Sequence, residues 1–160
     1  MRKNLSKLAV SLILMLATTA VSFAQTREST GGGRLEGTWN VRVSIINCQT
    51  GGVIRSFDSL GEFMVGGTLL DSTSGTAQAL KTPGKGVWEH TAGPNYRFKF
   101  KSFTFDTAGN YTGYTVIQHD ATLANTGDSY ESRGTLEVYN PAGVQVGSGC
   151  STTTATRFGF

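Results

Sequence analysis

Gly37-Thr38-Trp39-Asn40-Val41-Arg42-Val43-Ser44-Ile45-Ile46-Asn47-Cys48 decides how the rest of the chain is read. Trp39, Val41, Val43 and Ile45 alternate with Asn40, Arg42 and Ser44. A period of two places these sets on opposite faces of a strand, one buried and one in water. The strand is expected from Thr38 to about Asn47 and ends on a cysteine, and the only other cysteine, Cys150, lies in the last strand-like stretch, Val144 to Phe158.

The first twenty-four residues place those cysteines in an oxidising compartment. Arg2, Lys3 and Lys7 form a positive n-region, Leu8 to Ala17 is an apolar run, and Ser22 and Ala24 are small residues suited to a cleavage site before Gln25. That pattern predicts a signal peptide over 1–24. The apolar run is short against the roughly 20 residues that span a bilayer, so no stable membrane insertion is expected after cleavage. The destination is the periplasm or the extracellular space, where Cys48 and Cys150 should be bonded. Residues 25–34, with Gly31-Gly32-Gly33, read as a flexible leader.

Cleavage also changes the charge. Three of the 14 basic residues lie in the signal and all 11 acidic residues lie beyond it, so the mature chain carries 11 of each sign. A nucleic-acid partner is disfavoured, because phosphate recognition relies on net or clustered positive charge. Arg97, Lys99 and Lys101 alternate along one strand and read as its solvated face.

The remaining 35–160 form one domain. Turn signals divide it evenly: Gln49-Thr50-Gly51-Gly52, Gly66-Gly67, Gly93-Pro94-Asn95, Asp106 to Asn110, Asn125 to Asp128 and Asn140 to Gly143. Between them the expected strands run over Val53 to Met64 (bent at Gly61), Thr68 to Ser72, Gly86 to Thr91, Tyr96 to Phe105, Tyr111 to Leu123, Ser129 to Tyr139 and Val144 to Phe158. Thr73 to Lys85 is the longest connection, a solvated loop or the rim of an opening. In the fifth strand Tyr96, Phe98 and Phe100 share one parity, whereas Phe103 and Phe105 have the other. One face cannot hold both sets without an extra residue, which predicts a bulge near Lys101-Ser102.

Partner numbers in an antiparallel pair have a constant sum, and the two cysteines set it at 198. This register puts Trp39 opposite a residue near 159, with Arg157 two residues off on the diagonal, within reach of a long side chain. First and last strands side by side in an eight-stranded meander make a closed barrel. The expected fold is therefore all-β, an eight-stranded antiparallel up-and-down barrel closed by its first and last strands.

Gly37-Thr38-Trp39 resembles the Gly-x-Trp motif of lipocalins and the wider calycin group, avidins included. In lipocalins an Arg or Lys near the end of the last strand packs across that Trp, and Arg157 matches in type and position. The guanidinium over an indole gains cation–π energy and covers the barrel floor, giving Trp39 and Arg157 structural roles. The family's Thr-Asp-x-x-Tyr segment is not found, nor is a helical pattern after the last strand. Allene oxide cyclase and dirigent proteins share a similar barrel and stand as alternative relatives.

Little in the sequence points to catalysis. His90 and His119 are too few and too separated for a metal cluster. No Gly-x-Ser-x-Gly elbow or phosphate loop is present, and a disulfide consumes both thiols. No cofactor and no catalytic residue are assigned. His119 shares parity with Ile117, Ala121 and Leu123 and should point inward, either as a satisfied core histidine or as a ligand contact. His90 follows Glu89 at a strand end and reads as a surface residue. An aromatic interior of Trp88, Tyr96, Phe98 and Phe100 over a Trp39 floor would be either a solid core or the wall of a pocket. The resemblance implies a binder of a small apolar or amphipathic molecule, contacting Trp88, Tyr96, Phe98, Phe100 and His119. A cyclase or isomerase of the allene oxide cyclase type, which shapes its substrate mainly by positioning, fits the same residues. So does a packed barrel acting through its surface as an inhibitor or adhesion module.

Overall fold

The computed structural model describes residues 34–160; the signal peptide and all of the leader except Arg34 lie outside them. Eight strands follow one another: β1 (Gly37–Ile46), β2 (Val53–Met64), β3 (Thr68–Thr73), β4 (Gly84–Ala92), β5 (Asn95–Phe105), β6 (Tyr111–Leu123), β7 (Ser129–Tyr139) and β8 (Gln145–Arg157). Each pairs antiparallel with its neighbours, and β1 pairs with β8, so the sheet closes into an up-and-down barrel. The expected fold class is the observed one. Most expected strand limits agree to within two residues, and the β2 ladder runs through Gly61 without a shift.

Two details of register differ from the sequence reading. Trp39 pairs directly with Arg157, and the β1–β8 ladder continues in that register to Ile46 opposite Cys150. The ladder sum is 196, and the Cys48–Cys150 disulfide is the diagonal contact, with Cα atoms 5.2 Å apart. The reason is local. β1 ends at Ile46, so Cys48 lies past the last ladder pair, where the chain has begun to turn. The bulge expected near Lys101-Ser102 is absent: pairing with β6 is unbroken to Thr104 and shifts only between Thr104 and Phe105. Ser102 takes the inward position with 1% exposure, and Phe103 stays outside. Phe103 and Phe105 keep their apolar rings on the outer wall because they pack there against Tyr111, at 5.9 and 6.1 Å. Beside them the Lys101 ammonium lies 3.6 Å over Tyr114, which stacks on Tyr139.

The core occupies one end of the barrel. Trp39 and Leu35 are fully buried there with Phe63, Trp88, Tyr96, Leu123 and Tyr130. Their rings meet edge to face, Trp39 with Tyr130 at 4.9 Å and Phe63 with Trp88 at 5.9 Å, the geometry that aromatic quadrupoles favour. Both indoles have partners: Trp39 Nε1 donates to the Leu35 carbonyl and Trp88 Nε1 to that of Met64. Arg157 seals this end. Its guanidinium carbon lies 4.3 Å from the Trp39 ring centroid, and its nitrogens donate to the carbonyls of Glu36, Arg34 and Gly127. Gly37 makes this possible. Its φ is +122°, and an added Cβ would lie 2.8 Å from the Arg157 Nη1. Arg34, the one described residue of the leader, is tied down as well, its Nη2 donating to the Asn125 carbonyl at 2.7 Å.

Candidate functional site

Above that floor the barrel is hollow. A cavity of about 220 Å³ runs to the opposite end, where the β1–β2, β5–β6 and β7–β8 hairpins turn. The strand ends beside those turns carry exposed apolar residues, among them Val53, Ile54 and Val146.

Strand alternation builds the cavity wall. Phe98, Phe100 and His119 line it, as do Val41, Val43 and Ile117. Phe98 stacks on His119 at 5.4 Å and contacts Phe63 at 5.5 Å. Trp88 and Tyr96, expected among the ligand contacts, do not line the cavity. They point inward at the floor end, with Tyr96 6.0 Å from Trp88, and form part of the solid core. Inward parity was the correct inference for both; their depth along the barrel axis places them below the hollow. His90 stands apart, its Nε2 bonded to the Gly93 carbonyl within its own turn.

His119 is held by hydroxyls. Its Nδ1 is 2.7 Å from Ser132 Oγ, its Nε2 is 2.8 Å from Ser151 Oγ, and Ser132 Oγ is 2.6 Å from Thr153 Oγ1. Small residues on β7 and β8 leave room for the ring. Gly134, directly opposite His119, admits no side chain, because an added Cβ would meet the Gln118 carbonyl and the His119 ring. Burial without a carboxylate partner pushes the imidazole down to about 4, with nearby Asp120 only partly offsetting this. The neutral ring can exchange hydrogen bonds with both hydroxyls but is a poor base near neutral pH.

That depression has a consequence for stability. As pH falls below the ordinary histidine value of 6.5, the unfolded chain takes up a proton that the folded chain refuses. Stability should therefore be complete above pH 6.5 and fall between pH 6.5 and about 4, by about 3 kcal/mol from this residue. His119→Gln should flatten that part of a pH series of urea unfolding curves. An unchanged slope in the variant would mean that His119 titrates as an exposed histidine does.

The periodicity reading did not single out Asp71, Ser59, Lys81 or Arg55, all of which line the cavity. Asp71 is on β3 two residues after the buried Leu69, and this inward parity was the available signal. Its Oδ2 accepts a 2.5 Å hydrogen bond from Ser59 Oγ. Burial raises its carboxyl above the usual range, opposed by Ser59 and by the charge of Lys81. Tyr130 is also raised, by burial first and then by Asp71. Lys81 comes from the long connection, which folds over the mouth. That segment contains a 3-10 turn, Gln78–Leu80, and a bridge from Lys81 to Thr104. Ser74 N donates to the Asp58 carbonyl and Arg55 Nη2 to that of Gly75, which secures the segment to β2. It is therefore a rim and not a free solvated loop. A residue in such a segment carries no periodicity, so nothing in the sequence marked Lys81.

Among the described residues no three of His, Cys, Asp and Glu are grouped to hold a metal ion, and no helix is long and apolar enough to cross a membrane. No protein-family model, no curated protein and no solved structure matches this chain.

Proposed function

We propose that this chain is an exported, lipocalin-like barrel that holds one small apolar or amphipathic molecule in its interior. The observation that carries this reading is the hollow itself, about 220 Å³, walled by Phe98, Phe100, Val41, Val43 and Ile117 and closed at one end only. An engineered apolar cavity of about 150 Å³ admits benzene, so this one has room for a substituted ring or a short chain. Occupation would remove apolar surface from water on both partners, at roughly 25 cal/mol per Å².

Phe98→Trp tests the reading. In a filled core the larger ring should cost about 1–3 kcal/mol by overpacking. In a cavity that takes a ligand, it should cost under about 1 kcal/mol and weaken the binding of a small apolar probe such as phenylethanol, followed by titration calorimetry. A large stability loss, together with no probe bound by the parent chain, defeats the binding role. The barrel acting through its surface then becomes the better account; the exposed Val53, Ile54, Phe103 and Val146 are what favour it. Catalysis of the allene oxide cyclase type would use the same hollow but would add turnover of a bound substrate.

A further inference from the structure

The charges in the hollow and at its mouth, where Arg55 is exposed, narrow the class of ligand. Among the described residues, Arg55, Lys81 and Asp71 are the charged side chains that line it. The ion pairs among the described residues, Arg42–Asp58 and Arg97–Glu89, involve none of the three. Arg55 donates to the Gly75 carbonyl and lies 5.0 Å over Phe57. Asp71 is engaged by Ser59, and it reaches Lys81 through its field without an ion pair. The lining therefore carries one more positive than negative charge, in a place where burial makes the Lys81 ammonium easier to deprotonate than usual.

Two buried hydroxyls accompany this charge imbalance. Ser102 Oγ and Thr115 Oγ1 are buried with no hydrogen-bond partner. They face each other across the β5–β6 ladder, and Thr115 lines the cavity. Lys81 bridges to Thr104, two residues beyond Ser102 on the same face of β5. The ammonium, the guanidinium and the hydroxyls thus gather donors near the mouth, while Val41, Phe98 and Phe100 supply apolar wall below, where the polar groups of His119 and Ser59 are already hydrogen-bonded. Unsatisfied buried donors are unfavourable, and an acceptor that also neutralises the excess charge relieves both deficits.

We propose that the barrel selects a small amphipathic monoanion, its apolar body against Phe98 and Phe100 and its acid group at the mouth against Lys81, Arg55 and Thr115. This rests on the binding role proposed above and names the ligand class for it. Asp71 opposes the anion and sets the limit at a single negative charge.

The experiment uses the mature chain and three probes with the same ring and different heads: phenylacetate, phenylethanol and phenethylammonium, titrated by calorimetry at neutral pH. Phenylacetate should bind roughly 10- to 100-fold more tightly than phenylethanol, the range for a hydrogen bond to a charged group, and phenethylammonium most weakly. Lys81→Met should remove most of that preference, weakening phenylacetate far more than phenylethanol. Arg55→Gln should reduce it in the same direction. Equal binding of phenylacetate and phenylethanol, or tighter binding of phenethylammonium, overturns the anion assignment and leaves the binding role intact. Binding of none of the three overturns both.

Discussion

Replacing Cys48 and Cys150 together by alanine should lower the free energy of unfolding by about 2–5 kcal/mol. The bond joins residues 102 apart in sequence, so it constrains most of the described chain in the unfolded state. In the folded state it acts at the open end. β1 has stopped at Ile46, and the disulfide is the covalent link holding the following turn to β8. Urea unfolding of parent and variant, each extrapolated to water with its own m-value, measures the difference. Coincident midpoints, or two reactive thiols in the unfolded and unreduced parent, would remove the bond from the account of stability. Trp39 and its surroundings lie at the far end, so native tryptophan fluorescence should not change in the variant.

Trp39→Ala should cost about 3–5 kcal/mol, the range for removing a large buried aromatic. The side chain is fully buried, and three neighbours depend on it. The Leu35 carbonyl loses its indole donor, Tyr130 loses its edge contact, and Arg157 loses the ring beneath its guanidinium. Arg157→Ala should cost less, about 1–3 kcal/mol, through lost packing and cation–π contact. Because the two residues touch, the double variant should be destabilised by less than the sum of the singles, with a coupling of about 0.5–3 kcal/mol. Strictly additive effects, with tryptophan fluorescence unaltered in Arg157→Ala, would mean that the two side chains stabilise the floor independently.

Much of the architecture was legible from local chemistry. Eight alternating segments separated by Gly, Asn and Asp turns define eight strands, because a period of two and a tight turn are both properties of a few adjacent residues. The cysteines at the end of the first strand and within the last required those strands to be neighbours, and hence the barrel to close. Even so, the ladder follows the Trp39–Arg157 pair and not the disulfide, because Cys48 lies outside the strand.

What the alternation pattern alone did not contain was height along the barrel axis and competition for the outer wall. Parity says that Trp88, Tyr96, Phe98 and Phe100 face inward. Which of them meet in one layer depends on strand tilt and stagger around the closed sheet. That geometry puts Trp88 and Tyr96 in the floor and leaves Phe98 and Phe100 on the cavity wall. Phe103 and Phe105 looked inward by hydrophobicity, but Tyr111, contributed by the next strand, provides an apolar partner on the outside. Asp71 was on an inward position whose significance appears only when Lys81 folds over the mouth. Periodicity reports which face of a strand a residue occupies; the layer it joins, and the charge it meets there, are set by residues distant in sequence that barrel closure brings together.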